Sequence, residues 1–208
     1  ILELEGVRPS PIAPSRTLQM GRKKVFVFDE VFTETFVESF GIFLLRQNYQ
    51  YRPSFDNELS AAMTAELIQS LPAMPEVADA IVQRYHPEMT ATPADQVLSH
   101  GYSAAIRFGD SCAMHQDVAC EDCVTFLYYG NLVWNAAWGG ETMFYDDELS
   151  SAACVLPRPG RLILFNAAVH HRAGVPTRDC PSFRYGLSLF YRCPRMLQEL
   201  RAGTAQRT

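Results

Sequence analysis

Hydrophobic positions recur with two different periods along this chain, and the change of period divides it. Lys24-Val25-Phe26-Val27-Phe28 is a short run rich in β-branched and aromatic residues and predicts a strand. Directly after it, Phe32, Phe36, Phe40, Phe43 and Leu44 recur three or four residues apart. That spacing predicts an amphipathic helix, with Thr33 or Thr35 available as its cap. Two more helical stretches are expected over 56–70 and 76–85, with Pro72 and Pro75 between them. Beyond Pro93 the pattern is that of strands: 100–108, 124–129, 141–145, 152–156, 160–165 and 183–191, each bounded by Gly, Pro, Asn or Asp. Strands at such intervals predict a sandwich or barrel. The helices have apolar faces to bury and the sheet has a back to cover. One α+β domain over 1–208, with helices packed on one sheet, satisfies both. Its expected parts are a flexible lead over 1–23, broken by Pro9, Pro11 and Pro14, a strand and supporting helices over 24–92, and a β core over 93–195.

Composition narrows the function classes. The chain has 208 residues, 48% hydrophobic and 20% charged, which fits a packed domain rather than a disordered one. A net charge of −5 provides no basic footprint for nucleic acid. No apolar run approaches the roughly 20 residues of a membrane helix. The opening residues, with Glu3, Glu5 and scattered prolines, do not read as a secretory signal. Six irregularly spaced cysteines are then expected as reduced thiols, and the expected location is cytoplasmic. Cys120-Glu121-Asp122-Cys123 has the spacing of a zinc knuckle but no matching second pair, so it reads as a loop, with a structural zinc the lesser alternative.

The candidate chemistry begins at His115-Gln116-Asp117. Two histidines and a carboxylate form the ligand set that holds Fe(II) on one face and leaves other positions open. On one strand, His115 and Asp117 would point the same way. His170 and His171, after the apolar strand Arg161–Phe165, are the candidates for a third ligand. They face opposite ways on an extended chain, so one of them should bind. His86 and His100 read as structural.

Residues 107–192 resemble the iron(II)/2-oxoglutarate dioxygenase superfamily, in its prolyl 4-hydroxylase-like branch. Four pieces carry the resemblance, in the family's order: Arg107–Asp110 leading to His115-Gln116-Asp117; Val124–Asn131; Trp138-Gly139-Gly140-Glu141-Thr142-Met143-Phe144; and Pro159–Phe165 followed by His171 and Arg184–Leu189. The resemblance implies a double-stranded β-helix (jelly-roll, cupin-like) core. It implies His115, Asp117 and His171 as catalytic metal ligands, with His171 rather than His170 in the distal place. Arg184 is implied to grip the 5-carboxylate of 2-oxoglutarate, a role suited to a guanidinium, and Tyr129 to share it. Phe108 stands where relatives have a second tyrosine, so the cosubstrate pocket would rely on Arg184 and Tyr129, or recruit Thr125 or Ser188.

The implied activity is a hydroxylase that uses Fe(II), 2-oxoglutarate and O2 to oxidise an unactivated C–H bond, releasing succinate and CO2. Asp117 favours hydroxylation over halogenation, because related halogenases have a small residue in its place. The expected substrate is a small molecule, amino-acid-like or a natural-product intermediate, with no nucleic-acid or membrane partner. Two alternatives stand beside it: a peptidyl-prolyl 4-hydroxylase acting on a protein, and a cupin-like metal protein without oxygenase chemistry. Arg107, Glu141 and Trp138 are candidate substrate contacts, and 50–62 and 166–182 are candidate lids.

Overall fold

The computed structural model describes residues 4–52, 58–63, 65–89 and 96–194. Strands β1 (Arg16–Met20) and β2 (Lys23–Phe28) precede helix α1 (Glu34–Leu45). Then come β3 (Gln50–Arg52), β4 (Glu58–Met63), α2 (Ala65–Gln69) and α3 (Met74–Tyr85). The remainder is β5 (Val97–Ile106), β6 (Val124–Tyr129), β7 (Thr142–Tyr145), β8 (Ala152–Val155), β9 (Leu162–Asn166), β10 (His171–Ala173) and β11 (Arg184–Arg192). An eight-stranded sheet runs β1-β2-β9-β6-β11-β5-β4-β3, and a three-stranded sheet runs β10-β7-β8. The two sheets enclose a double-stranded β-helix, the jelly-roll core expected. Among the described residues no helix is long and apolar enough to cross a membrane.

Strand alternation explains why the large sheet lies buried on both faces. Phe26 and Phe28 on β2, Val124, Phe126 and Tyr128 on β6, and Leu162 and Leu164 on β9 join the helices in one core. Their neighbours Val25, Val27, Leu127, Tyr129, Ile163 and Phe165 face the second core with Phe144 and Val155 of the small sheet. Helix α1 docks through Phe36, Phe40 and Leu44. Phe40 meets Tyr128 edge-on at 5.2 Å between ring centres. Thr33 caps this helix, its hydroxyl accepting from the Phe36 N–H at 3.3 Å.

Two expectations need correction. The stretch read as a flexible lead is tied down from Val7, which bridges Phe32, and forms β1, paired with β2 from Arg16↔Val27 to Met20↔Lys23. Pro9, Pro11 and Pro14 all precede the ladder, so none removes a donor from it. The stretch expected as helix over 56–70 is also divided: β4 pairs with β5 from Leu59↔Ala105 to Met63↔Gly101, and the helix begins at Ala65. Ala61 and Ala62 are weak strand formers, and the open edge of β5 overrides their preference. Part of the candidate lid 50–62 falls outside the described residues. The other candidate lid, 166–182, contains β10, which the hydrophobic pattern did not reveal.

Candidate metal and carboxylate site

Local backbone chemistry brings the histidine–aspartate segment to the distal histidine. β9 ends at Asn166, whose side-chain oxygen accepts from the Ala168 N–H at 2.9 Å and turns the chain. The chain returns as β10, and His171 meets His115 in an antiparallel bridge, each N–H reaching the other's carbonyl at 2.9 Å. His115 and Asp117 therefore do not share a regular strand. One bridge fixes His115, and the Asp117 N–H bonds Ala167 O at 3.1 Å. Gln116 turns the other way and donates to Ala168 O at 2.7 Å.

The three side chains converge. Potential ligand atoms of His115, Asp117 and His171 all lie within 4.8 Å of one another. Asp117 Oδ1 is 3.6 Å from His115 Nε2 and 3.7 Å from His171 Nε2, too long for a hydrogen bond. Each imidazole has its other nitrogen engaged: His115 Nδ1 donates to Ala113 O at 3.0 Å, and His171 Nδ1 to Val169 O at 2.9 Å. A carbonyl can only accept, so the Nε2 lone pairs are left facing the carboxylate. This is the orientation a metal requires. Burial pushes the Asp117 carboxyl upward, but the two imidazoles, when protonated, and the Thr125 hydroxyl outweigh it and hold it below its ordinary value. Burial lowers His171 despite the nearby carboxylate, which favours the neutral imidazole. The donor set fits Fe(II). His170 takes no part, and its Nδ1 is buried with no hydrogen-bond partner among the described residues.

Arg184, the first residue of β11, lies 2% exposed in the wall of the same pocket. Its Nε donates to Gly140 O at 2.7 Å and its Nη2 to Thr142 Oγ1 at 2.8 Å. No carboxylate lies within ion-pair distance of it among the described residues. A buried guanidinium without an anion is costly and calls for one. Gly140 (φ +74) permits the approach, since a Cβ there would stand 2.8 Å from Trp134 and 3.3 Å from Arg184 Cδ.

Tyr129 is placed differently from the expectation. Its ring lies under the guanidinium at 5.0 Å, while its hydroxyl meets Thr142 Oγ1 at 2.6 Å and donates to Val155 O at 3.0 Å. Tyr129 thus backs Arg184 through Thr142, and Thr142 is the side chain that lines the pocket. The sequence reading missed Thr142, although alternation from the GGET turn puts it on the inward face. Thr125, considered as a replacement cosubstrate contact, donates to Asp117 Oδ2 at 2.5 Å. Phe108 is 59% exposed beyond the end of β5 and outside the pocket, whereas Tyr102 and Ser188 line it. Arg107 lies over the Phe183 ring and beside Asp110. Trp138 packs edge-on against Trp134. His86 is buried against Asp122 O, and His100 stacks on Phe190.

Residues 101–192 match the family model described as the 2OG-Fe(II) oxygenase superfamily. The matched segment runs from β5 to β11 and contains His115, Asp117, His171 and Arg184. No curated protein sequence matches the chain. Among solved structures, the chain is similar in fold to a prolyl hydroxylase from Trichoplax adhaerens in complex with a hypoxia inducible factor peptide fragment. The two are 18% identical, with 80% of this chain and 82% of that one covered and a TM-score of 0.60. A Pseudomonas putida prolyl-4-hydroxylase gives 13% identity, 81% and 92% coverage and a TM-score of 0.62. HygX from Streptomyces hygroscopicus, with nickel and 2-oxoglutarate bound, gives 15% identity, 82% and 83% coverage and a TM-score of 0.60. Enzymes of this superfamily use Fe(II), 2-oxoglutarate and O2.

Proposed function

We propose that His115, Asp117 and His171 hold Fe(II), that Arg184 receives the distal carboxylate of 2-oxoglutarate, and that the enzyme hydroxylates a C–H bond of a small molecule. The observation that carries this reading is Arg184, a buried cation with no carboxylate partner among the described residues, in the pocket that holds the three ligands. The bound metal and cosubstrate would supply the oxidising power, with succinate and CO2 as co-products. The chain's own residues do the rest. The two Nδ1–H bonds orient the imidazoles, Thr125 restrains the carboxylate, and Thr142 with Tyr129 holds the guanidinium in place. Leu127, Phe165 and Ile106 keep the pocket floor apolar and exclude water.

A cupin-like protein without oxygenase chemistry has no use for Arg184. A small-molecule substrate draws support from a neighbour of the same fold described with hygromycin B bound. A peptidyl-proline substrate is the second reading, supported by the neighbour described with a peptide. Reduced thiols and a cytoplasmic location go with either. The test is anaerobic titration of the metal-free protein with Fe(II) and then 2-oxoglutarate, followed by succinate assays with amino acids, aminoglycosides and prolyl peptides. A weak visible charge-transfer band needing both additives, and lost at the same 2-oxoglutarate concentration in Arg184→Ala, is expected. Iron binding with no such band would sink the reading. Succinate release stimulated by prolyl peptides alone would replace the small molecule by a protein substrate.

A further inference from the structure

Outside this pocket lies a second convergence of ligand-type side chains. Cys120, Cys123 and Cys193 are all buried, and their sulfurs lie within 4.8 Å of one another. They come from two places in the fold: the turn between Asp117 and β6, and the residue just after β11. The turn is closed by the Cys123 N–H bonding Cys120 O at 3.2 Å. Cys120 and Cys193 sulfurs are 4.0 Å apart. Two thiolates each about 2.3 Å from one ion stand about 3.8–4.0 Å apart, so the spacing suits a shared metal. A disulfide needs about 2.05 Å.

Two further observations separate this cluster from ordinary packing of buried thiols. The backbone N–H of Cys193 points at the Cys123 sulfur, although burial outweighs this contact and pushes the thiol up. Arg192 is 4% exposed, and its recorded contacts are Tyr191 O at 3.3 Å and the Phe190 ring. It has no ion-pair partner within 4 Å among the described residues, yet it is near enough to Asp117 and the three sulfurs to feel their charge. A buried guanidinium beside three thiols gains compensation beyond that of Asp117 when they ionise.

We propose that Cys120, Cys123 and Cys193 bind a thiophilic d10 metal ion, Zn(II) or Cu(I), with Arg192 offsetting the thiolate charge. Three thiolates and Zn(II) carry a net charge of −1, which Arg192 cancels. Three sulfurs alone also complete a trigonal Cu(I) site. Binding displaces the thiol protons. The bound ion ties the turn that follows Asp117 to the far end of the strand that begins with Arg184.

The test uses the full chain, reduced and stripped of metal, titrated anaerobically with Co(II). The histidine–aspartate site offers only nitrogen and oxygen, so a near-ultraviolet sulfur-to-cobalt band reports the cysteines alone. One thiolate-bound Co(II) per chain is expected, with the band kept in Asp117→Ala and Cys154→Ser and lost in Cys120→Ser and Cys193→Ser. Displacement by Zn(II) identifies that ion, and displacement by Cu(I) alone identifies the other. Should the cysteine variants fail to fold, alkylation of the wild-type protein decides. Protection of Cys120, Cys123 and Cys193 by added Zn(II) or Cu(I), mapped by mass spectrometry, supports the site. Absence of a thiolate band and of metal-dependent protection overturns it, as does a Cys120–Cys193 disulfide in air from protein that binds no metal through sulfur when reduced.

Discussion

Replacing Thr125 by Val tests whether the carboxylate ligand needs a partner behind it. The Thr125 hydroxyl donates to Asp117 Oδ2 at 2.5 Å, which leaves Oδ1 facing both imidazoles at 3.6 and 3.7 Å. Valine keeps the shape and the β-branching that suit β6, so the sheet survives while the restraint goes. A hydrogen bond to a charged group contributes about 1.5–3 kcal/mol. Part of that bond persists with or without metal, and losing a partner of a metal ligand typically weakens metal affinity about 10–100-fold. The expected outcome for Thr125→Val is a loss of that size in Fe(II) affinity, measured by anaerobic titration, with circular dichroism unchanged. Thr125→Ser, which keeps the hydroxyl, should restore most of it. Fe(II) affinity within about twofold of wild type in Thr125→Val, a difference under about 0.4 kcal/mol, would refute the reasoning.

Three other outcomes are expected. Thr142→Val removes the acceptor of Arg184 Nη2 and the partner of the Tyr129 hydroxyl; it should raise the KM for 2-oxoglutarate about tenfold or more, as befits a hydrogen bond to a charged group, while Fe(II) affinity holds. Gly140→Ala drives a Cβ against Trp134 at a backbone angle that disfavours side chains, so kinetics should show weakened 2-oxoglutarate binding and melting a lowered Tm. Asp29 resists protonation: burial raises its pKa, but the Arg161 guanidinium, bonded to both carboxylate oxygens at 2.7 and 3.0 Å, and Ser15 bring it below 3.8. A depressed pKa means stability that is complete above pH 3.8 and lost as pH falls through the folded value. Asp29→Asn should therefore cost about 1–3 kcal/mol at pH 7 by chemical denaturation, and the gap from wild type should close in acid.

The strands of the core were legible because alternation and turn residues agree there. β6 spans Val124–Tyr129 as read, and Thr33 proved to be the cap of α1. What escaped were elements defined by pairing rather than pattern. β1, β3 and β10 are short and depend on a neighbouring edge, and β4 carries alanines that propensity assigns to a helix. The three ligand candidates were legible as a set, since each has the chemistry and sits by an apolar run. Their convergence without a shared strand was not, because it depends on a single bridge and on Asn166 turning the chain. Tyr129 shows the limit of motif reading. A sequence position can be right while the direction of its hydroxyl is decided by Thr142 and Val155. Cys193 could not be joined to Cys120 and Cys123 by spacing, because β11 had first to be placed beside β6.

The mutual backbone bonds of His115 and His171 have a consequence for how this scaffold could be altered. The distance between the imidazoles belongs to a contact between two chain segments, whatever the length of the connection between them. The turn joining β7 to β8, where Asp146 holds Ser150 and Ser151, is exposed and lies within that connection. Residues inserted there would lengthen the path between the two histidines without moving either. That turn is a natural place to graft a loop or a reporter into this scaffold.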